Sequence, residues 1–127
     1  MSILRISLGA ATLAVSMFMA TAAQAHPKLV SSLPAANAET AAPAKIELKF
    51  SEALVVQFSG AKLSMTGMPG MTHAPMPVDA SVAQGSDAQT MVITPAKPLT
   101  TGSYRVDWRA VSGDTHPITG SVTFSVK

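Results

Sequence analysis

The six residues KIELKF alternate without a break: Ile46, Leu48 and Phe50 fall on one side of an extended chain, and Lys45, Glu47 and Lys49 on the other. Period two with one apolar side is the mark of a half-buried strand. YRVDWRA repeats it, with Tyr104, Val106 and Trp108 opposed to Arg105, Asp107 and Arg109, and VTFSV closes the chain through Val122, Phe124 and Val126. Shorter or weaker strand signals fall at Lys28–Ser32, Gly60–Met65, Val78–Ala83 and Thr90–Thr94. Turn-forming clusters separate these runs, among them Ser32-Leu33-Pro34, Gly85-Ser86-Asp87 and Ser112-Gly113-Asp114, at spacings that suit antiparallel connections. No capped stretch of 3.6-residue period follows residue 25. The pattern predicts an all-β domain of about seven strands, a Greek-key β-barrel or sandwich of immunoglobulin-like or cupredoxin-like type.

The first 25 residues stand apart from this plan. A short basic start through Arg5, an apolar run from Ile6 to Ala23 and the small-x-small exit Ala23-Gln24-Ala25 read as a cleaved secretory signal peptide, which puts the mature start at His26. Residues 26–127 then form one domain, large enough for a single modest core. No later apolar stretch is long enough to span a bilayer, so no stable membrane insertion is expected. Removing Arg5 with the leader leaves eight basic against seven acidic side chains. So even a balance offers no footprint for nucleic acid or an anionic membrane. Export implies an oxidising compartment, yet the chain has no cysteine, so neither disulfides nor thiolates hold the fold or bind a metal.

The stretch MTGMPGMTHAPM interrupts the strand plan with Met65, Met68, Met71 and Met76, joined by His73 and spaced by Gly67, Pro69, Gly70 and Pro75. Thioethers are neutral, soft and need no deprotonation, and a cluster of them selects Cu(I) over zinc, calcium or magnesium. In an oxidising compartment they outlast thiolates as ligands. Regular strand geometry throws alternate side chains to opposite faces, so the glycines and prolines are expected to curl the backbone into a basket. Met91, inside an apolar run, reads instead as an ordinary core filler.

A second donor set gathers around the expected mature terminus. The α-amine and Nδ1 of His26 can chelate one metal in a six-membered ring, and the amine, with an ordinary pKa of about 7.7–8.0, yields its proton to a metal near neutrality. Pro27 has no amide proton, so the next backbone nitrogen cannot join the coordination plane and further donors must come from elsewhere in the fold. Asp114 and His116, at i and i+2 in SGDTHP, point to one side if the loop is extended. Amine, two imidazoles and a carboxylate make the tetragonal nitrogen–oxygen set that Cu(II) prefers. Glu52, after the Phe50 strand, is a further carboxylate, either a weak ligand or a group that orients an imidazole.

HPKLVSS, FSEAL, MTGMPGMTHAPM and VDWRAVSGDTHPITGSVTF together resemble the CopC/PcoC family of periplasmic copper-resistance proteins, over essentially the whole of residues 26–127. The resemblance implies a cupredoxin-like Greek-key β-barrel with two separate copper sites. Carried over by position, it places Cu(I) at Met65, Met68, Met71, His73 and Met76, with one methionine to spare, and Cu(II) at His26, Asp114 and His116 with Glu52 nearby. It implies a periplasmic carrier in copper resistance that is not an enzyme and exchanges copper with a multicopper oxidase or an inner-membrane copper transporter. The competing expectation is a copper-dependent oxidative enzyme using the N-terminal histidine chelate, with Tyr104 and Trp108 as its only large stacking aromatics.

Overall fold

The computed structural model describes residues 26–127, so the leader read over residues 1–25 lies outside the described residues. Nine strands follow in order: β1 Leu29–Leu33, β2 Glu39–Thr40, β3 Ile46–Phe50, β4 Gly60–Met68, β5 Met71–Val78, β6 Ala80–Gln84, β7 Thr90–Pro95, β8 Gly102–Val111 and β9 Pro117–Val126. One 3₁₀ turn, Val56–Phe58, is the helical element among the described residues. The strands form two open sheets, β1-β3-β7-β6 and β2-β9-β8-β4-β5. The fold is therefore a sandwich, and of the two expected forms the closed barrel is the one not adopted. The excess over about seven strands comes from β2, only two residues long, and from β5, which runs through the methionine-rich stretch.

Alternation decides which sides meet. Ile46, Leu48 and Phe50 are at most 1 % exposed, and Tyr104, Val106 and Trp108 face them from the other sheet with Val122, Phe124 and Val126. In register, Leu48 lies opposite Met91, and Tyr104, Val106 and Trp108 lie opposite Phe124, Val122 and Gly120. Met91 is buried in the core. Each such aliphatic or aromatic side chain contributes roughly 1.5–3 kcal/mol on burial. Tyr104 stacks on Phe124 at 5.6 Å and Phe50 meets the Trp108 ring edge-on at 5.0 Å, adding about 0.5–1.5 kcal/mol a pair. Gly120 matters to this layer, because a Cβ there would run into the Trp108 ring.

The central strand β8 sets the long axis. Ten residues of strand span about 30 Å. The methionine hairpin lies beside its start, where Met65 pairs with Tyr104 and Gly67 with Ser103. The turn carrying Asp114 and His116 follows its last residue, Val111.

Candidate metal centres

At the far end of β8, three donors from two distant parts of the chain converge. His26 precedes β1 on a segment that is fastened twice: Lys28 N–H donates to Ser51 Oγ at 2.9 Å, and Ser51 N–H returns to Lys28 O at 2.8 Å. Pro27 is fully buried, and having no N–H it leaves no donor stranded there. The other two donors come from the β8–β9 turn. Thr115 N–H donates to Ser112 O at 2.9 Å, and Thr115 itself adopts φ +64°. The expected extended loop is thus replaced by a tight turn. Its left-handed residue between Asp114 and His116, not strand-like alternation, directs the two side chains together.

His26 Nδ1 lies 2.7 Å from Asp114 Oδ2, and His116 Nδ1 lies 3.8 Å from the same oxygen. The imidazole rings are 5.9 Å apart and tilted by 45°. One donor atom from each of His26, Asp114 and His116 falls within 4.8 Å of the others. Glu52 is not in that group, although Ser51, beside it, is paired to the His26 segment. Exposure is graded across the cluster, from 21 % for the Asp114 side chain through 40 % for His26 to 74 % for His116. His26 Nδ1 is enclosed, and the Asp114 carboxylate is the polar group set against it. Buried polar atoms normally find partners. A nitrogen and a carboxylate oxygen this close pair directly when the imidazole carries a proton there, and can share a cation when it does not.

At the near end of β8 the donors are contiguous in sequence. The stretch expected to curl into a basket forms the β4–β5 hairpin, closed by Pro69-Gly70 with Gly70 at φ +72°, as a Pro-Gly turn requires. Met65 lies opposite Met76, and Met68 opposite Met71. Directly opposed residues of an antiparallel pair project from one face. Alternation alone would put Met65 and Met68, three apart, on opposite faces, but the ladder slips between them. Met65 pairs with Tyr104 and Gly67 with Ser103, so Thr66 is an extra residue against β8. Across β4, the three residues His73, Ala74 and Pro75 stand opposite Thr66 alone. The extra residue restores the parity that alternation breaks, as β-bulges do, and both methionine pairs project from the face that carries Tyr104.

Beyond the core that face is uncovered: Met68, Met71 and Met76 are 48–59 % exposed, while Met65 packs against the core. Gly102 makes room for it, since a Cβ there would come within 2.5 Å of Met65 Cε and 2.6 Å of Gly67 O. His73 Nδ1 lies 2.8 Å from Ala74 O, which can only accept, and this contact leaves Nε2 as the ring nitrogen open to a metal. Nε2 is enclosed and has no hydrogen-bond partner. Among the described residues three buried side-chain polar atoms lack one, and two of these are the imidazole nitrogens of His26 and His73.

Sequence reasoning named every donor just described and missed what supports them. Ser51, Ser112 and Gly102 carry no donor signal of their own; their roles follow from which strands pair.

The class defined by these sheets is a β-sandwich, antiparallel except where the short β2 runs parallel to β9, with donor groups at its two ends. Its architecture is similar to that of the crystal structure of PcoC, a methionine-rich copper resistance protein from Escherichia coli, with a TM-score of 0.76 and 64 % identity over 81 % of this chain and 100 % of that one. The chain belongs to the CopC family: residues 29–127 match the CopC domain. It is 71 % identical over 114 residues to copper resistance protein C of Pseudomonas syringae pv. tomato, covering 90 % of each chain. It is also 63 % identical over 112 residues to copper resistance protein C of Escherichia coli, covering 87 % of this chain and 89 % of that one.

Proposed function

We propose that the chain is a periplasmic copper carrier of copper resistance and homeostasis, cleaved after Ala25 and folded as a single domain over residues 26–127. Cu(II) is taken by His26, through its new α-amine and imidazole, with Asp114 and His116. Cu(I) is taken by Met65, Met68, Met71, Met76 and His73. The observation that carries this is the meeting of His26 with Asp114 and His116, about ninety positions further along the chain, with donor atoms within 4.8 Å. Relatives that match nearly the full length are called copper resistance proteins, which supports copper as the cargo.

The donor chemistry divides the two oxidation states. Nitrogen and carboxylate oxygen suit Cu(II), and thioethers suit Cu(I). Oxidising a copper ion among the methionines weakens its hold there and favours the opposite end; reduction reverses the preference. About 30 Å of strand separates the two places, too far for direct transfer within one molecule. Copper therefore passes between molecules, to or from a multicopper oxidase or an inner-membrane copper transporter. The exposed methionines permit exchange one ligand at a time. Glu52 supplies a further carboxylate to the nitrogen–oxygen centre, either as a weak ligand or as a group that orients an imidazole.

No catalytic role is assigned. An oxidative enzyme with the same histidine chelate needs an open coordination position and aromatic groups at its surface. Here Asp114 Oδ2 lies beside both imidazoles, and Tyr104 and Trp108 are buried. The test is mass spectrometry of the exported protein, with Cu(II) and with Cu(I) under anaerobic conditions. A mass beginning at His26 and one equivalent of each ion are expected. A terminus ahead of His26 together with no Cu(I) uptake overturns the proposal.

A further inference from the structure

The Asp114 carboxylate is held asymmetrically. Its Oδ2 faces both imidazoles, at 2.7 and 3.8 Å, while its Oδ1 accepts from Ser112 Oγ at 3.3 Å and from His116 N–H at 3.2 Å. A carboxylate with equivalent oxygens can turn about its terminal torsion and present either one. Donors on one oxygen alone remove that freedom. The His116 amide belongs to the turn backbone, so Ser112 is the side chain that fixes which oxygen faces the histidines.

Ser112 is placed to do this. It is only 1 % exposed, and its carbonyl accepts from Thr115 N–H, so the residue pins the turn from both backbone and side chain. Thr115 is β-branched at φ +64°, a conformation such residues rarely adopt, and Thr115 Oγ1 donates to Asp114 O at 2.7 Å. The base of the turn is fastened too: Val111 O accepts from Val55 N–H at 2.7 Å, and Val111 N–H donates to Ser59 Oγ at 3.0 Å. A buried hydroxyl on a rigid base, touching the oxygen turned away from the imidazoles, is the arrangement that orients a ligating carboxylate from outside its coordination shell.

We propose that Ser112 is a positioning residue of the nitrogen–oxygen centre, acting through Asp114 to present Oδ2 as a single-oxygen ligand. This rests on the proposed Cu(II) role of His26, Asp114 and His116. The experiment measures Cu(II) affinity, by competition with a chelator of known affinity, and the Cu(II) electron paramagnetic resonance spectrum. It compares the mature protein with Ser112→Ala, Asp114→Ala and the double variant.

Ser112→Ala is expected to weaken Cu(II) by about tenfold, within the range usual for lost outer-shell partners, and to shift the spectrum. Added to Asp114→Ala it is expected to change neither, because a residue acting through another has no effect once that one is gone. Unaltered Cu(I) uptake at the other end reports that the fold is intact, and Ser112→Thr, which keeps a hydroxyl, should retain most of the affinity that Ser112→Ala loses. An equal loss with and without Asp114, or no change in the wild-type background, overturns the proposal. If the wild-type protein takes up no Cu(II), or Asp114→Ala binds it unchanged, the centre itself is misassigned and the role of Ser112 falls with it.

Discussion

The two ends of the sandwich assemble their donors in opposite ways. At the His26 end, one residue ahead of β1 meets two from the β8–β9 turn because two strand ends and a buried proline hold them, and their carboxylate is further anchored by a serine and a backbone amide. At the hairpin end, five candidate donors come from twelve consecutive residues, and one antiparallel pairing with one bulge sets the four methionines on one face. The first end is half-buried and cross-braced; the second leaves three of its methionines about half exposed. A nitrogen–oxygen set with fixed angles suits an ion with a preferred tetragonal geometry. A looser thioether set suits one that tolerates exchange.

Removing one end should leave the other intact, and the largest effect is expected at the hairpin. Met68→Leu, Met71→Leu and His73→Ala together should abolish Cu(I) binding in anaerobic titrations while Cu(II) affinity is unchanged. The methionine-to-leucine swaps nearly conserve volume, so little stability is lost. Loss of both affinities would mean that these residues build the fold and do not serve as ligands.

Next in size is one extra residue ahead of His26, which converts the chelating amine to an amide. Cu(II) affinity, measured by competition, should fall by about a hundredfold or more, a cost of roughly 2.7 kcal/mol, with Cu(I) unaffected. A matching loss at the hairpin would erase the independence of the two ends.

Gly102→Val probes the hairpin through packing. Its Cβ would collide with Met65 Cε and Gly67 O, so denaturant unfolding should show a loss of about 1–3 kcal/mol, and Cu(I) binding should weaken as Met65 is displaced. Cu(II) affinity should hold. An unchanged Cu(I) affinity would remove Met65 from the set.

The smallest effect is expected at Asp87, in the β6–β7 turn. Its carboxyl is held below the usual carboxylate range, chiefly by the Thr90 hydroxyl and then by the Gln89 and Thr90 amides and Lys49. A depressed carboxyl stabilises the fold above its unfolded pKa, and the contribution fades as pH falls through the folded one. The group is fully exposed, so Asp87→Asn should lower the melting temperature only slightly near neutral pH. The difference should vanish in acid, with both copper affinities unaltered.

Much of this architecture was legible in the chain. Ile46, Leu48, Phe50, Tyr104, Val106 and Trp108 are buried as their alternation predicts, because a period of two admits only one inward face. β2 was not legible: two residues carry no period, and their pairing with Ser125 and Val126 is a long-range event. β5 was hidden for another reason. Pro75, Pro77 and Gly70 argue against a central strand, but β5 lies at the sheet edge, where missing N–H groups cost little. The donors of both ends could be named from chemistry alone, while the slip at Thr66 that aligns the methionines exists only in the pairing with β8.

The sequence by itself determined the period of the strands, the absence of thiols and the kinds of donor available, because these depend on residue type and neighbour spacing. Tertiary structure alone decided that Glu52 stands outside the cluster, that a left-handed threonine joins Asp114 to His116, and that about 30 Å of strand divides the two ends. The reason is physical: alternation constrains a side chain relative to its own strand. Where one strand lies against another is set by registers and turns that the whole core must satisfy at once.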